Sequence, residues 1–136
     1  MNRSVVVLDS NVLVAAFAAR GLCEVVYELC LLRHDIAGGR RILDEVKLAL
    51  RGKLRVPESL CSQAVAVIEG HWRTVEPSPV PPGACRDRDD EVILGIAVAA
   101  SADYIVTGDK DLLVMKKCRG IAIITPRQFW EFANKP

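Results

Sequence analysis

Three short β-branched runs, Val5–Leu8, Tyr104–Val106 and Ile121–Ile124, each bounded by turn residues and followed by a segment of helical character, constrain this chain most. Unbroken apolar runs mark strands buried on both faces, and their alternation with helices leads to an α/β domain with a parallel sheet. Weaker strand signals at Leu32–Ile36, ahead of a Gly38-Gly39 turn, and at Thr74-Val75 bring the expected count to about five. Helices are expected at Leu22–Leu32, Arg40–Arg51, Pro57–Gly70, Asp90–Ala100, Asp109–Lys116 and Pro126–Ala133, two of them with proline in the first turn. The expected architecture is a doubly wound three-layer α/β/α sandwich around a central parallel sheet. With no repeat or linker in 136 residues, one domain spans 1–136.

Charge and cysteine content exclude several classes. Lys and Arg number 18 against 17 Asp and Glu, so the net charge of +1 advertises no nucleic acid, membrane or acidic partner globally. The five cysteines are odd in number and lack a C-x-x-C pair, which fits a reducing cytoplasm and no zinc site. Arg3 and the apolar stretch after it loosely resemble a secretory signal, but Asp9 and Asn11 interrupt the stretch, which reads instead as strand, loop and helix. The longest later apolar run, Val92–Ala100, is well short of the ~18 residues of a membrane span, so no membrane partner is expected.

The chemistry sits where strands end. Val5–Leu8 runs into Asp9-Ser10-Asn11, and Tyr104–Val106 into Thr107-Gly108-Asp109-Lys110-Asp111. If those strands are neighbours where strand order reverses, Asp9 and Asp109 share the crevice in which open α/β sheets bind ligands. Glu45 lies on the apolar stripe Ile42, Val46, Ala49, Leu50, and Asp90 shares a helix face with Leu94, Ala97 and Ser101. Two carboxylates about 4 Å apart repel by roughly 4 kcal/mol at an effective dielectric of 20. Several in one cleft therefore call for a cation, and Mg²⁺ or Mn²⁺ suits oxygen ligands and hydrolytic chemistry on a phosphodiester.

Plainer roles compete at each position. Asp9 can cap the following helix, Asp87 has the offset of an N-cap for the helix after it, and Glu45 can pair with Arg41 one turn away. Asp109 can be a turn residue and Asp111 a solvated acid at a helix start. A phosphoryl-transfer enzyme with an aspartate nucleophile would need paired acids after the first strand, which Asp9-Ser10-Asn11 does not supply.

Taken together, Val-Val-Leu-Asp9-Ser10-Asn11, Glu45 before an apolar helix, Asp87-x-Asp89-Asp90 before an Ala-rich helix, Ala102-Asp103-Tyr104-Ile-Val-Thr-Gly-Asp109-Lys-Asp-Leu and the closing Ile121–Phe129 resemble a PIN domain over nearly the full length. More narrowly, the chain resembles the bacterial branch that contains toxins of toxin–antitoxin systems. That resemblance implies a metal-dependent ribonuclease whose catalytic acids are Asp9, Glu45, Asp90 and Asp109. Asp9, Asp90 and Asp109 would bind one or two Mg²⁺ or Mn²⁺ ions, and Glu45 would orient or deprotonate the attacking water. Ser10, Asn11, Glu91 and Asp111 are auxiliary; counting back from Asp109 would make Glu91 rather than Asp90 the third acid.

Two departures stand out: Arg88 replaces a frequent proline between the acids, and Ala37-Gly38-Gly39 replaces a Ser-Pro lead-in to the helix of Glu45, loosening the hinge that aims it. Partners implied are an RNA substrate, a cognate antitoxin protein and a second copy of the chain, for which Leu22–Leu32 offers an apolar interface. Residues 33–55 carry seven basic against three acidic groups, and Lys110, Lys116, Lys117 and Arg119 form a second basic cluster. Arg40, Arg41, Lys53 and Lys110 are the expected RNA contacts. The competing class is a catalytically weak PIN-like module that binds RNA or a partner.

Overall fold

The computed structural model describes residues 3–133. In chain order the elements are β1 (Val5–Leu8), α1 (Ser10–Ala18), α2 (Leu22–Arg33), β2 (Asp35–Gly38), α3 (Arg40–Gly52), α4 (Glu58–His71), β3 (Arg73–Thr74), α5 (Arg88–Ala99), β4 (Tyr104–Val106), α6 (Lys110–Leu113), β5 (Lys117–Cys118), β6 (Ile121–Ile124) and α7 (Pro126–Ala133). The strands form one sheet in the order β3-β2-β1-β4-β6-β5, all pairs parallel except β5 with β6.

The five parallel strands are those expected, with β2 and β3 shifted by one to three residues. The sixth, β5, lies just past the expected Asp109–Lys116 helix. That helix stops at Leu113, and the chain then turns through positive φ at Lys116 and, between β5 and β6, at Arg119 and Gly120 to build a tight hairpin. Crossovers from β1 through β2 to β3 run one way along the sheet, and the return through α5 to β4 runs the other. Right-handed connections therefore place helices on both faces. α5 covers β1 and β2, while α7 packs on α2 across the opposite layer. Val6, Val7 and Leu8 at the sheet centre are fully buried, with Ile42, Val46, Ile93, Leu94, Ile96 and Ile105 around them.

Four readings of the sequence need correction. No loop separates β1 from α1: Asp9 is the single residue between them. Gly38-Gly39 is not a turn either, since Gly38 ends β2 and Gly39 precedes α3 in extended conformation. A Cβ at Gly38 would lie within the van der Waals surface of the Trp72 ring, and one at Gly39 would meet Ile96 at 2.9 Å. The lead-in to α3 is thus tightly packed rather than a loose hinge. Ser101 lies beyond the end of α5, exposed and at φ 53°, so it does not share the face of Asp90.

Candidate metal centre

β1 and β4 are neighbours in parallel register, Leu8 opposite Val106, at the point where strand order reverses. Pairing continues one residue further, with the Asp9 N–H donating to the Val106 carbonyl at 3.0 Å. The carboxylate of Asp9 is therefore delivered, 96% buried, beside the loop that follows β4. Oδ1 accepts from the Ser10 N–H at 2.8 Å, so Asp9 also caps α1. Oδ2 accepts from the Thr107 hydroxyl at 2.6 Å and the Asn11 amide at 3.1 Å. Asn11 Oδ1 in turn accepts from the Gly108 N–H at 3.0 Å, and Thr107 Oγ1 from the Asp109 N–H at 2.9 Å. These bonds staple the two strand-end loops together. Asp109 itself caps α6 through the Asp111 N–H.

The third acid comes from across the cleft. Asp87 caps α5 by accepting from the Asp89 N–H, and Asp90, one turn in, points its carboxyl inward with only 7% of the residue exposed. Burial holds Asp90 well above the ordinary carboxylate range, and the shared hydrogen bond with Asp109 and the charges of Asp109, Asp87 and Asp9 add to it. Asp9 is raised as well, chiefly by burial; the Thr107, Ser10 and Asn11 donors oppose that rise and the Asp109 charge adds to it. One oxygen each of Asp87, Asp90 and Asp111 lie within 4.8 Å of one another. Asp111 also faces Arg86 at 3.5 Å.

Asp90 interacts with Asp109 and feels the charges of Asp87 and Asp9, whereas the acids whose oxygens the structure brings within 4.8 Å of one another are Asp87, Asp90 and Asp111, with Asp87 exposed. Glu91 turns away: its Oε2 accepts from the Gly83 N–H at 2.8 Å and holds down the loop before α5. Ser10 contributes its backbone N–H. Glu45 makes the i,i+4 pair with Arg41 at 3.2 Å, and the same guanidinium reaches Asp89 at 3.1 Å, tying α3 to α5. Arg40 faces Glu69 at 4.0 Å, while Lys47 and Arg51 share Glu58. Much of the basic stretch is therefore compensated by acids from other helices. The second cluster runs along β5 and its turn; Lys110, following Asp109, is its member beside the acids. Thr107, fully buried between the two strand-end loops, carries no signal of its own in the sequence, and Asp87 is more than the cap its offset predicts, since it lies beside Asp90 and Asp111.

The residues fit a hard divalent cation. Among the described residues, Oδ2 of Asp90 is buried with no hydrogen-bond partner, a costly state for a carboxylate oxygen unless a cation or proton occupies it. The donors are all oxygen. Burial, aided by the neighbouring acids, pushes the Cys85 thiol up to about 11. All five cysteines are free thiols. Among the described residues no helix is long and apolar enough to cross a membrane.

No curated protein matches the sequence. The fold is similar to that of VapBC2 from Rickettsia felis, solved bound to a DNA fragment from their promoter, with a TM-score of 0.62 at 14% identity, covering 89% of this chain and 98% of that one. It is likewise similar to PAE2754 from Pyrobaculum aerophilum, with a TM-score of 0.60 at 18% identity over 98% of this chain and 91% of that one. The sequence model of the PIN domain matches residues 5–111, from the first residue of β1 through Asp9 and Asp90 to the acids that open α6, and the chain belongs to the PIN domain family.

Proposed function

We propose that this protein is a metal-dependent endoribonuclease of the cytoplasm and the toxin of a toxin–antitoxin pair. The observation that carries the proposal is the buried Oδ2 of Asp90, left without a donor beside Asp109 and Asp9. Asp9, Asp90 and Asp109 would hold the ion, with Asp111 at the exposed side of the cluster. When bound, Mg²⁺ or Mn²⁺ supplies Lewis acidity to a phosphodiester and to an attacking water.

The rest is the work of the chain. Thr107 and Asn11 orient Asp9, and the caps of α5 and α6 hold Asp87 and Asp109 in place. Glu45 is the fourth acid and the base toward water; Arg41 engages its Oε2 alone. Lys110 and Lys53 are the proposed phosphate contacts, whereas Arg40 and Arg41 must first exchange their carboxylate partners. The similarity in fold to VapBC2 supports a protein partner for this chain, and exposed Val25 and Leu32 of α2 are the apolar surface it offers a second copy.

Purified protein incubated with single-stranded RNA should cleave it with Mg²⁺ or Mn²⁺ and not with EDTA. Asp9→Asn and Asp109→Asn should fold and lose cleavage. Metal-independent cleavage, or full activity in Asp9→Asn, would overturn the assignment; tight RNA binding without cleavage would favour a binding module.

A further inference from the structure

We infer that Thr107 is a positioning residue that clamps Oδ2 of Asp9 and leaves Oδ1 as the oxygen this carboxylate can offer a cation. The inference rests on the metal-centre reading above and concerns how one ligand of that centre is aimed.

The hydrogen-bond inventory fixes the direction of the Thr107 hydroxyl. Its oxygen accepts from the Asp109 N–H at 2.9 Å, so its single hydrogen is directed to Asp9 Oδ2 at 2.6 Å. The Asn11 amide gives Oδ2 a second donor at 3.1 Å. Two donors use both lone pairs of Oδ2. Oδ1 receives one donor, the Ser10 N–H at 2.8 Å, and keeps a lone pair.

Asp9 can therefore offer one oxygen to a cation without breaking the clamp, and the carboxylate plane is set before any ion arrives. Thr107 also joins two acids separated by 100 residues of sequence, because one hydroxyl accepts from the backbone of Asp109 and donates to the side chain of Asp9. Orientation of this kind by a group behind the ligand typically contributes 10–100-fold to metal affinity. Thr107 is fully buried, so water does not substitute for the hydroxyl.

The test is Mn²⁺ titration by calorimetry of the full chain, with folding checked by circular dichroism. Thr107→Val keeps the shape and removes both hydrogen bonds; its Kd for Mn²⁺ should rise about 10–100-fold. Thr107→Ser keeps the hydroxyl and should return most of the affinity, a rescue that mere packing would not produce. If Thr107→Val does not fold, Asn11→Ala carries the test, since it strips the second donor from Oδ2, together with the acceptor of the Gly108 N–H, and should also weaken binding. Wild-type affinity in Thr107→Val, or in Asn11→Ala where that variant stands in, would overturn the inference. Equal losses in Thr107→Ser and Thr107→Val would do the same. A wild-type chain that binds no Mn²⁺ would instead overturn the metal-centre reading, and the inference with it.

Discussion

Replacing Asp90 by asparagine should stabilise the metal-free protein, an unusual outcome for a substitution at a buried polar position. Asp90 is pushed up to about 7 from an ordinary 3.8. At 1.36 kcal/mol per unit this rise corresponds to a ceiling of ~4 kcal/mol on the cost of ionising it. A pair of carboxylates ~4 Å apart at an effective dielectric of 20 gives the same figure. Exposed Asp87 and half-buried Asp111 show that water reaches the cluster, and screening reduces the usable part to about 1–2 kcal/mol. Asparagine has the same outline, carries no charge and can donate to Asp109. At pH 8 in EDTA, Asp90→Asn should therefore melt roughly 4–8 °C above the wild type for a chain of this size. The gain should shrink as pH falls below about 7 and vanish below about 4, where Asp90 is protonated in both the folded and the unfolded chain. Added Mn²⁺ at 100 times its Kd should stabilise the wild type by about 2.7 kcal/mol and the variant far less. Melting curves by circular dichroism decide the matter. A variant less stable than wild type at pH 8 without metal, or equally stabilised by Mn²⁺, would refute the reasoning.

Other outcomes follow from the same geometry. Because the raised acids Asp9 and Asp90 bind protons more tightly in the folded than in the unfolded chain, metal-free stability should fall as pH rises from about 4 to 7; a flat profile would contradict this. Saturating Mn²⁺ should flatten the fall. Gly38→Ala should cost about 1–3 kcal/mol by denaturant titration, because its Cβ has no room against Trp72. Lys110→Ala should weaken RNA binding and lower the salt slope by about one unit, whereas Arg40→Ala, whose charge already faces Glu69, should change it little.

The parallel strands and the two strand-end acids were legible because a strand buried on both faces is an unbroken apolar run, and a polar residue that ends it must be at the sheet edge. Asp9 and Asp109 are such residues. The third acid was harder, since Asp90 and Glu91 are adjacent in a helix and only packing decides which turns inward. Asp90 meets Asp109 while Glu91 meets the Gly83 N–H. Thr107 was missed because its role depends on a side-chain contact with Asp9 that spacing does not encode. The charge balance of the basic stretch is illegible for a related reason: its counter-charges Glu58, Glu69 and Asp89 come from α4 and α5. The Gly38-Gly39 pair looked like a turn because glycine's commonest local use is conformational, whereas here its lack of a side chain admits Trp72 and Ile96.

The central claim is that Asp9, Asp90 and Asp109 together hold a divalent cation. Anomalous scattering at the manganese edge from crystals grown with Mn²⁺ tests it most directly. The account predicts a peak within about 2.0–2.6 Å of Asp90 Oδ2 and close to oxygens of Asp9 and Asp109. A peak elsewhere, or none at Mn²⁺ concentrations that stabilise the protein, would contradict it.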